Sequence, residues 1–230
     1  MASKTITGVS SMATRLILGE LARRYAQRSG LAVDIAAMGG VEAARLVRAG
    51  ETTDVVVLAS KVMAELEAER HLLAGSTRPF ARSGMAVAVR AGAARPDIGS
   101  GDAVRQAIMA AGKVGYSTGP SGDHLIKLCE GWGLLPDLAE RMLKAPPGVP
   151  VAKLVADGEA DLGFQQLSEL LNAPGIEIVG PLPPEIQAVT VFSAGVSARS
   201  ERTEDGRALI TFLTSGDADE VKRIHGMDPA

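Results

Sequence analysis

The stretch "TITGVSSMATRLILGELARRYAQRSG", residues 5–30, contains one complete strand–turn–helix unit. "TITGV" is typical of a strand, and "SSM" is a small polar turn. After the turn, apolar side chains recur at helical spacing until a glycine supplies a stop. The expected apolar face of this helix consists of Leu16, Leu18, Leu21, Ala22 and Tyr25.

The same order occurs twice more along the chain. Strand 32–37 precedes helix 41–50, and strand 53–59 precedes helix 62–73. Three such units in a row predict a parallel sheet with right-handed crossovers. Because ligands of these sheets bind outside the carboxyl ends of the strands, we expect the turns "SSM", "MGG" and "ASK" at the ligand-binding edge.

An extended segment, "RPFARSGMAVAVRAG" at 78–92, interrupts this order before the chain begins a second series of strands and helices. A further extended segment, "AVTVFSAGVS", covers 188–197. We therefore predict an α/β protein of two lobes joined by two hinge strands. Lobe I comprises 1–80 plus 194–230, and lobe II comprises 81–193. Each lobe is predicted to hold a mostly parallel sheet flanked by helices.

Composition excludes several classes of function. The net charge of −3, without a basic stripe, argues against nucleic acid as a partner. The single cysteine forbids an internal disulfide, and the three histidines lack the spacing of metal ligands, so we expect neither a metal nor a cofactor. No apolar run approaches the ~18 to 20 residues that cross a membrane. "MASK" does not resemble an export signal, so we expect the protein to be periplasmic if a signal was removed and cytoplasmic otherwise. We also expect it to be a monomer.

Several further motifs occur in a recognisable order. They are "RSGMAVAVRAGAARPDI" at 82–98, "VGYSTGPSGDHL" at 114–125, "DGEADLGFQQLSELL" at 157–171 and "GMDPA" at 226–230. Together with the strands ending "VSS" and "DVVVLAS", they resemble type II periplasmic binding proteins of the molybdate-binding-like group. The resemblance covers nearly the whole chain. It implies two lobes, a hinge, and a small anion held between the lobes by serine hydroxyls and helix N–H groups.

Two departures from the molybdate-binding pattern concern the ligand. Gly39 and Gly40 stand where molybdate binders usually offer a serine, and Gln165 and Gln166 replace a tyrosine-containing or apolar continuation. A larger ligand with more hydrogen-bonding groups fits better, such as a di- or tricarboxylate. The resemblance also implies an alternative, because the group includes enzymes similar to aconitate isomerase. Binding of molybdate or tungstate is the third interpretation.

The candidate ligand contacts of the first lobe and the crossing segment each have an alternative, structural interpretation. The serines could instead cap helices, and the glycines could simply form a tight turn. The lysine could be a solvated surface residue, and the arginine could form a salt bridge. The candidates are Ser10, Ser11, Gly39, Gly40, Ser60, Lys61, Arg82 and Ser83.

In the second lobe, "TGPSG" takes the place that "SSM" holds in the first. A helix N-terminus there would present N–H groups to an anion, although an ordinary glycine-rich loop explains the same residues. The candidate contacts are Ser117, Ser121, Gly122 and Gln165. If the protein is an enzyme, His124 or Tyr116 is the expected proton carrier. A transport protein would bind a small anion and deliver it to an ABC permease. The isomerase would bind a tricarboxylate and would also need a catalytic base.

Overall fold

The computed structural model describes residues 5–146 and 148–230. Residues 1–4, which carry the expectation about an export signal, lie outside the described residues. The chain divides into two compact units, one of Met1–Arg82 with Val191–Ala230 and one of Ser83–Thr190. Each unit is a sheet flanked by helices, which confirms the α/β fold class.

The strands are β1 Thr5–Ser11, β2 Ala32–Met38, β3 Val55–Ala59, β4 Arg78–Arg90, β5 Val114–Tyr116, β6 Met142–Lys144, β7 Leu162–Gln166, β8 Ile176–Pro181, β9 Val189–Val196 and β10 Asp228–Pro229. The α-helices are α1 Arg15–Ser29, α2 Gly40–Ala49, α3 Ser60–Ala68, α4 Gly101–Ala110, α5 Pro120–Gly131, α6 Leu135–Leu138, α7 Val151–Ala156, α8 Leu167–Leu170, α9 Thr203–Leu213 and α10 Asp219–Ile224.

In the sheet of the first unit, β1 lies between two parallel partners. β1 pairs in parallel with β2 on one side and with β3 on the other, and β9 pairs antiparallel with β3. The three predicted strand–turn–helix units therefore form the predicted parallel sheet. α1 and α9 pack against one face together with Ile6 and Val57, and α2 and α3 pack against the other face with Val9 and Val56. Both faces are apolar because the sheet is covered on both sides.

α1 shows how the sequence produces these elements. A 3₁₀ turn at Met12–Thr14 precedes the helix, and Gly30 ends it in the left-handed region at φ 74°. A glycine adopts this conformation without the steric penalty of a side chain. The buried face differs slightly from the predicted one, because Leu16 and Ala22 are only partly buried. The buried residues of α1 are Ile17, Leu18, Leu21 and Tyr25.

The sheet of the second unit combines both strand directions. β5 pairs in parallel with β6 and β7, whereas β4 pairs antiparallel with β7 and β8. Its main core joins β4, β5 and β7 to α4 and α5 through Val87, Ile108, Leu125 and Phe164. Both segments predicted as extended are strands, and the chain passes from one unit to the other within them, inside β4 and inside β9.

Several helix boundaries differ from the sequence-based prediction. α3 ends at Ala68, five residues early, because Arg70 adopts φ 64° and Leu72 forms a bridge with Ser197. α7 ends at Ala156, before Gly158 at φ 76°. α5 begins at Pro120, because proline is well suited to the first position of a helix. The short elements β6, α6 and β10 were not predicted.

Gly122 is the position at which α5 most strictly requires glycine. A Cβ added there would lie 1.8 Å from the carbonyl oxygen of Ser117, whereas a Cβ at Gly119 would meet only the Ser117 hydroxyl at 3.8 Å. We expect Gly122→Ala to lower the free energy of unfolding by about 2 kcal/mol or more. Gly119→Ala, the matched control, is expected to change it by less than about 0.5 kcal/mol. Equal losses in urea unfolding of the two variants would contradict this reading of the turn.

Candidate functional site

The carboxyl ends of β1, β2 and β3 form one polar edge of the first unit, which we call the unit 1 edge. Ser10 pairs with Ala37 of β2 and with Val57 of β3, so the three strands end side by side. This register brings together the predicted contacts that follow each strand. They are Ser10 and Ser11 at the end of β1, Gly39 and Gly40 after β2, and Ser60 and Lys61 after β3.

Ser10 is the most unusual residue of this edge. Its side chain is fully buried, and its Oγ has no hydrogen-bond partner among the described residues. Ser11 differs, because its Oγ lies 3.5 Å from Oγ1 of Thr14, whose hydroxyl donates to the Ser11 carbonyl oxygen. Burying a hydroxyl without a partner costs about 1–3 kcal/mol. Ser10 therefore has hydrogen-bonding capacity that the fold itself does not use.

The start of α2 is open backbone. Gly39 occupies the N-cap position, which therefore has no side-chain cap. A Cβ at Gly39 would meet nothing within 4 Å, and a Cβ at Gly40 would meet only Cβ of Ser11 at 4.0 Å. The first N–H groups of a helix lack partners within the helix. The space that a side chain of Gly39 or Gly40 would fill is open at this helix start.

Ser60 has a partner that the sequence did not suggest. Its hydroxyl lies 2.7 Å from the hydroxyl of Ser193, a buried residue of β9. Leu58 of β3 pairs directly with Ser193, which explains the contact. No local sequence signal marks Ser193, because the pairing of β3 with β9 joins distant parts of the chain. Lys61 is exposed beside this pair.

Arg82 and Ser83 lie on β4, where the chain passes from the first unit to the second. Arg82 is exposed and pairs in register with Asp228 of β10, whereas Ser83 is buried and donates to the carbonyl oxygen of Gly84 at 3.4 Å. Ion pairs among residues 5–146 and 148–230 do not include Arg82. The salt-bridge alternative for Arg82 thus has no support here.

The carboxyl ends of β5 and β7, with the start of α5, form the unit 2 edge. The hydroxyls of Ser117 and Ser121 lie 2.9 Å apart, and the N–H of Gly119 donates to Oγ of Ser117 at 3.3 Å. Gly122 belongs to the same first turn of α5. The predicted residues therefore meet, but two of their hydroxyls bond to each other and hold the turn. Tyr116, the last residue of β5, is partly buried.

Gln165 and Gln166 point to opposite sides of β7. Gln165 accepts from the N–H of Val151 at 3.0 Å and donates to Glu169 at 2.7 Å, so both ends of its amide are engaged. Gln166 donates to Oγ1 of Thr190 at 2.7 Å, while its buried Oε1 has no partner among the described residues. The geometry therefore favours Gln166 over the predicted Gln165 as a ligand contact.

His124 lies in the second turn of α5. Its Nε2 is 2.7 Å from the carbonyl oxygen of Ile186. A carbonyl oxygen only accepts hydrogen bonds, so Nε2 carries the proton. In the neutral ring, Nδ1 is then the basic nitrogen, and the Ile186 carbonyl fixes the tautomer.

The chain matches a known protein family over almost its full length. The model described as bacterial extracellular solute-binding protein matches residues 6–228. The chain belongs to this family. A protein named aconitate isomerase from Pseudomonas sp. is 35% identical over 238 residues, which cover 100% of this chain and 90% of that relative.

Solved structures support the same assignment at the level of the fold. The periplasmic molybdate-binding protein of Azotobacter vinelandii has a TM-score of 0.81 at 21% identity, over 96% of this chain and 98% of that one. The tungstate ABC transporter of Geobacter sulfurreducens has a TM-score of 0.77 at 13% identity, over 96% and 98%. The predicted resemblance to the molybdate-binding-like group is confirmed.

Within this solute-binding chain, Glu169 is a residue of the unit 2 edge that sequence reasoning missed. It lies on α8 and accepts the hydrogen bond from Gln165. Burial raises the pKa of its carboxyl to about 7, against the lowering effect of that hydrogen bond. Burial of this kind depends on how α7 and α8 pack, so no local sequence pattern indicates it.

Neither a metal centre nor a membrane span is found in the described part of the chain. Among residues 5–146 and 148–230, no three His, Cys, Asp or Glu side chains come together as metal ligands. Within the same ranges, every helix is too short or too polar to cross a bilayer.

Glu169 yields a prediction about pH. Its pKa is about 7 in the folded protein and near 4.5 when unfolded, so between these values the folded state holds a proton that the unfolded state has lost. The stability that this extra proton gives to the folded state is therefore fully present below about pH 4.5 and is lost as pH rises through 7. Glu169→Gln keeps an acceptor for Gln165 but cannot titrate. We expect its effect on the free energy of unfolding, relative to wild type, to be ~1–3 kcal/mol more stabilising at pH 8 than at pH 4.5.

The measurement is urea unfolding of wild type and Glu169→Gln across this pH range. Other carboxyls, such as Glu20 beside His225 and Arg24, have lowered pKa values and shift stability in the opposite direction. The difference between the two proteins cancels their contributions. A difference that does not change with pH would show that Glu169 titrates normally.

Proposed function

We propose that the chain binds a small polycarboxylate of the aconitate class and catalyses an allylic proton shift in it. Five buried polar atoms lack a hydrogen-bond partner among the described residues, and two of them, Oγ of Ser10 and Oε1 of Gln166, are the observation that carries the binding part. Each lies at the carboxyl end of a strand, where α/β sheets bind ligands. The catalytic part is supported by the relative named aconitate isomerase, at 35% identity over the whole chain.

The donors at the unit 1 edge favour a carboxylate. The open start of α2 offers backbone N–H groups beside Gly39 and Gly40, and the start of a helix favours negative charge. The hydroxyl of Ser10 adds one further donor. A carboxylate oxygen accepts several such bonds at once, so this group of donors matches its chemistry.

Gln166 can serve a carboxylate ligand at the unit 2 edge. Half-rotation of its amide exchanges the donor and acceptor ends, and Thr190 can bond to either, so the free end can present N–H or C=O. It can therefore donate to a carboxylate or accept from a hydroxyl.

The proposed reaction needs one base and no redox partner. The base removes a proton from the methylene carbon, and that C–H electron pair forms a new C=C bond. The electrons of the old double bond take a proton at its far carbon. Negative charge that develops on the adjacent carboxylates is stabilised by the donors that bind them. Atoms and electrons balance, because the same proton carrier accepts one proton and returns one.

His124 is the proposed proton carrier. The Ile186 carbonyl holds its ring with Nδ1 as the basic nitrogen, which is the orienting contact that a general base needs. Tyr116, at the end of β5, is the second candidate for this role.

The decisive experiment incubates the protein with trans-aconitate in heavy water and follows the products by proton NMR. We expect cis-aconitate to form, and His124→Gln to lower kcat by about 10²-fold or more. His71→Gln, a partly exposed histidine of the first unit, is the control and should leave kcat unchanged. Full activity in His124→Gln would remove His124 from the mechanism and leave Tyr116→Phe as the next variant.

Ser10→Ala separates binding from folding. Removing a buried hydroxyl without an internal partner should change the free energy of unfolding by less than ~1 kcal/mol, or raise it. The same change should weaken binding of trans-aconitate about tenfold, because its carboxylate loses a hydrogen bond. Thermal unfolding and titration calorimetry measure the two effects. A strongly destabilised variant, or unchanged affinity, would show that Ser10 has only a structural role.

A binding protein that delivers a carboxylate to an ABC permease is the second candidate function. The similarity in fold to the molybdate-binding protein and the tungstate transporter supports it. It requires tight binding of the ligand without turnover, because catalysis depends on stronger binding of the transition state. Trans-aconitate that binds and stays unchanged would favour this function. Both functions are consistent with the periplasmic alternative for location, which the family description supports.

A further inference from the structure

Two helices of the first unit carry a cationic side chain in their first turn. Arg15 is the first residue of α1, and Lys61 is the second residue of α3. Neither helix has an acidic residue in its first turn. The N-terminal end of a helix carries partial positive charge, so a cation there opposes the helix dipole.

Other helices of the same unit follow the usual rule. α2 has Glu42 in its first turn and Arg48 in its last, and α9 has Glu204 and Asp205 in its first turn. The exceptions are therefore confined to α1 and α3. Sequences break such local rules mainly at functional sites.

Neither cation is neutralised within the chain. Later arginines of α1 have partners, since Arg24 pairs with Glu20 and Arg28 with Asp217. Arg15 and Lys61 are exposed, and within residues 5–146 and 148–230 neither forms an ion pair or a side-chain hydrogen bond. The positive charge at these two helix starts is thus uncompensated.

Both cations lie at the unit 1 edge. α1 follows β1 and α3 follows β3, and these strands are direct parallel neighbours. The two helices cover opposite faces of the sheet, so one cation lies on each side of the edge. At the end of β1, the strand that precedes α1, lies the buried hydroxyl of Ser10, which has no hydrogen-bond partner among the described residues. This hydroxyl is an independent sign that the edge receives a ligand.

We propose that Arg15 and Lys61 select the ligand by its charge, favouring three carboxylates over two. This inference rests on the proposed function of the same edge and assigns its specificity to these two residues. Coulomb attraction to a fixed set of positive charges grows with the charge of the ligand. Removing one cation therefore costs a trianion more affinity than it costs a dianion of the same length.

The test compares tricarballylate with glutarate, which has the same five-carbon chain but lacks the central carboxylate. Titration calorimetry at low salt gives the ratio of their dissociation constants. We expect wild type to prefer tricarballylate, and Arg15→Gln and Lys61→Gln each to lower this preference about tenfold. Arg15→Lys, which keeps the charge, should retain most of the preference.

Matched controls remove exposed cations elsewhere. Arg23 lies in the middle of α1, and Lys127 lies on α5; both are exposed. Arg23→Gln and Lys127→Gln should leave the ratio unchanged. Arg15→Gln and Lys61→Gln should also unfold at the same temperature as wild type or higher, because each removes an unfavourable charge from a helix start.

The outcomes separate this inference from the proposed function. If wild type binds tricarballylate but Arg15→Gln and Lys61→Gln keep its preference, the charge selection is wrong and the proposed function stands. The inference is also overturned if these variants lose stability and weaken both ligands equally. If wild type binds neither these acids nor trans-aconitate, the proposed function fails and the inference fails with it.

Discussion

The pairing of β1 with two parallel neighbours is the constraint on which the rest of the first unit depends. Its register sets Ser10 beside Ala37 and Val57, so that three strands end at one level. The carboxylate of Asp54 strengthens this arrangement by accepting from the N–H and the hydroxyl of Thr7. Because every strand is followed at once by a helix, three helix starts reach the same edge. The polar edge is thus a consequence of backbone pairing, to which the sequence adds hydroxyls and cations.

The sequence predicted this part of the molecule well, since strand, turn and helix follow local rules. The apolar run of β3 and the glycine that ends α1 needed no distant partner to be recognised. The contact of Ser60 with Ser193 was beyond prediction, because it depends on a strand from another part of the chain. Distant contacts also decide the outcome in the second unit. Both glutamines of β7 are evident in the sequence, but only the packing of α7 shows that the Gln165 amide is hydrogen-bonded within the fold.

The candidate site illustrates how one fold can serve either transport or catalysis. Helix starts and hydroxyls recognise negative charge in both cases, and they do not by themselves transform a ligand. A base held in a defined tautomer is the additional element that chemistry requires, and His124 has this property through the Ile186 carbonyl. The fold therefore supplies recognition, and a small number of side chains decides whether the bound ligand is also transformed.

The path of the chain has a consequence for biosynthesis. The second unit is one continuous segment, Ser83–Thr190, whereas the first unit is made from both ends of the chain. β3 pairs with β9, so the ribosome adds more than a hundred residues before the buried strand "VVVLA" meets its second neighbour. An unpaired apolar strand edge is prone to aggregation. During synthesis, the second unit is therefore complete first, and the edge of β3 stays without its β9 partner until the chain has passed through that unit.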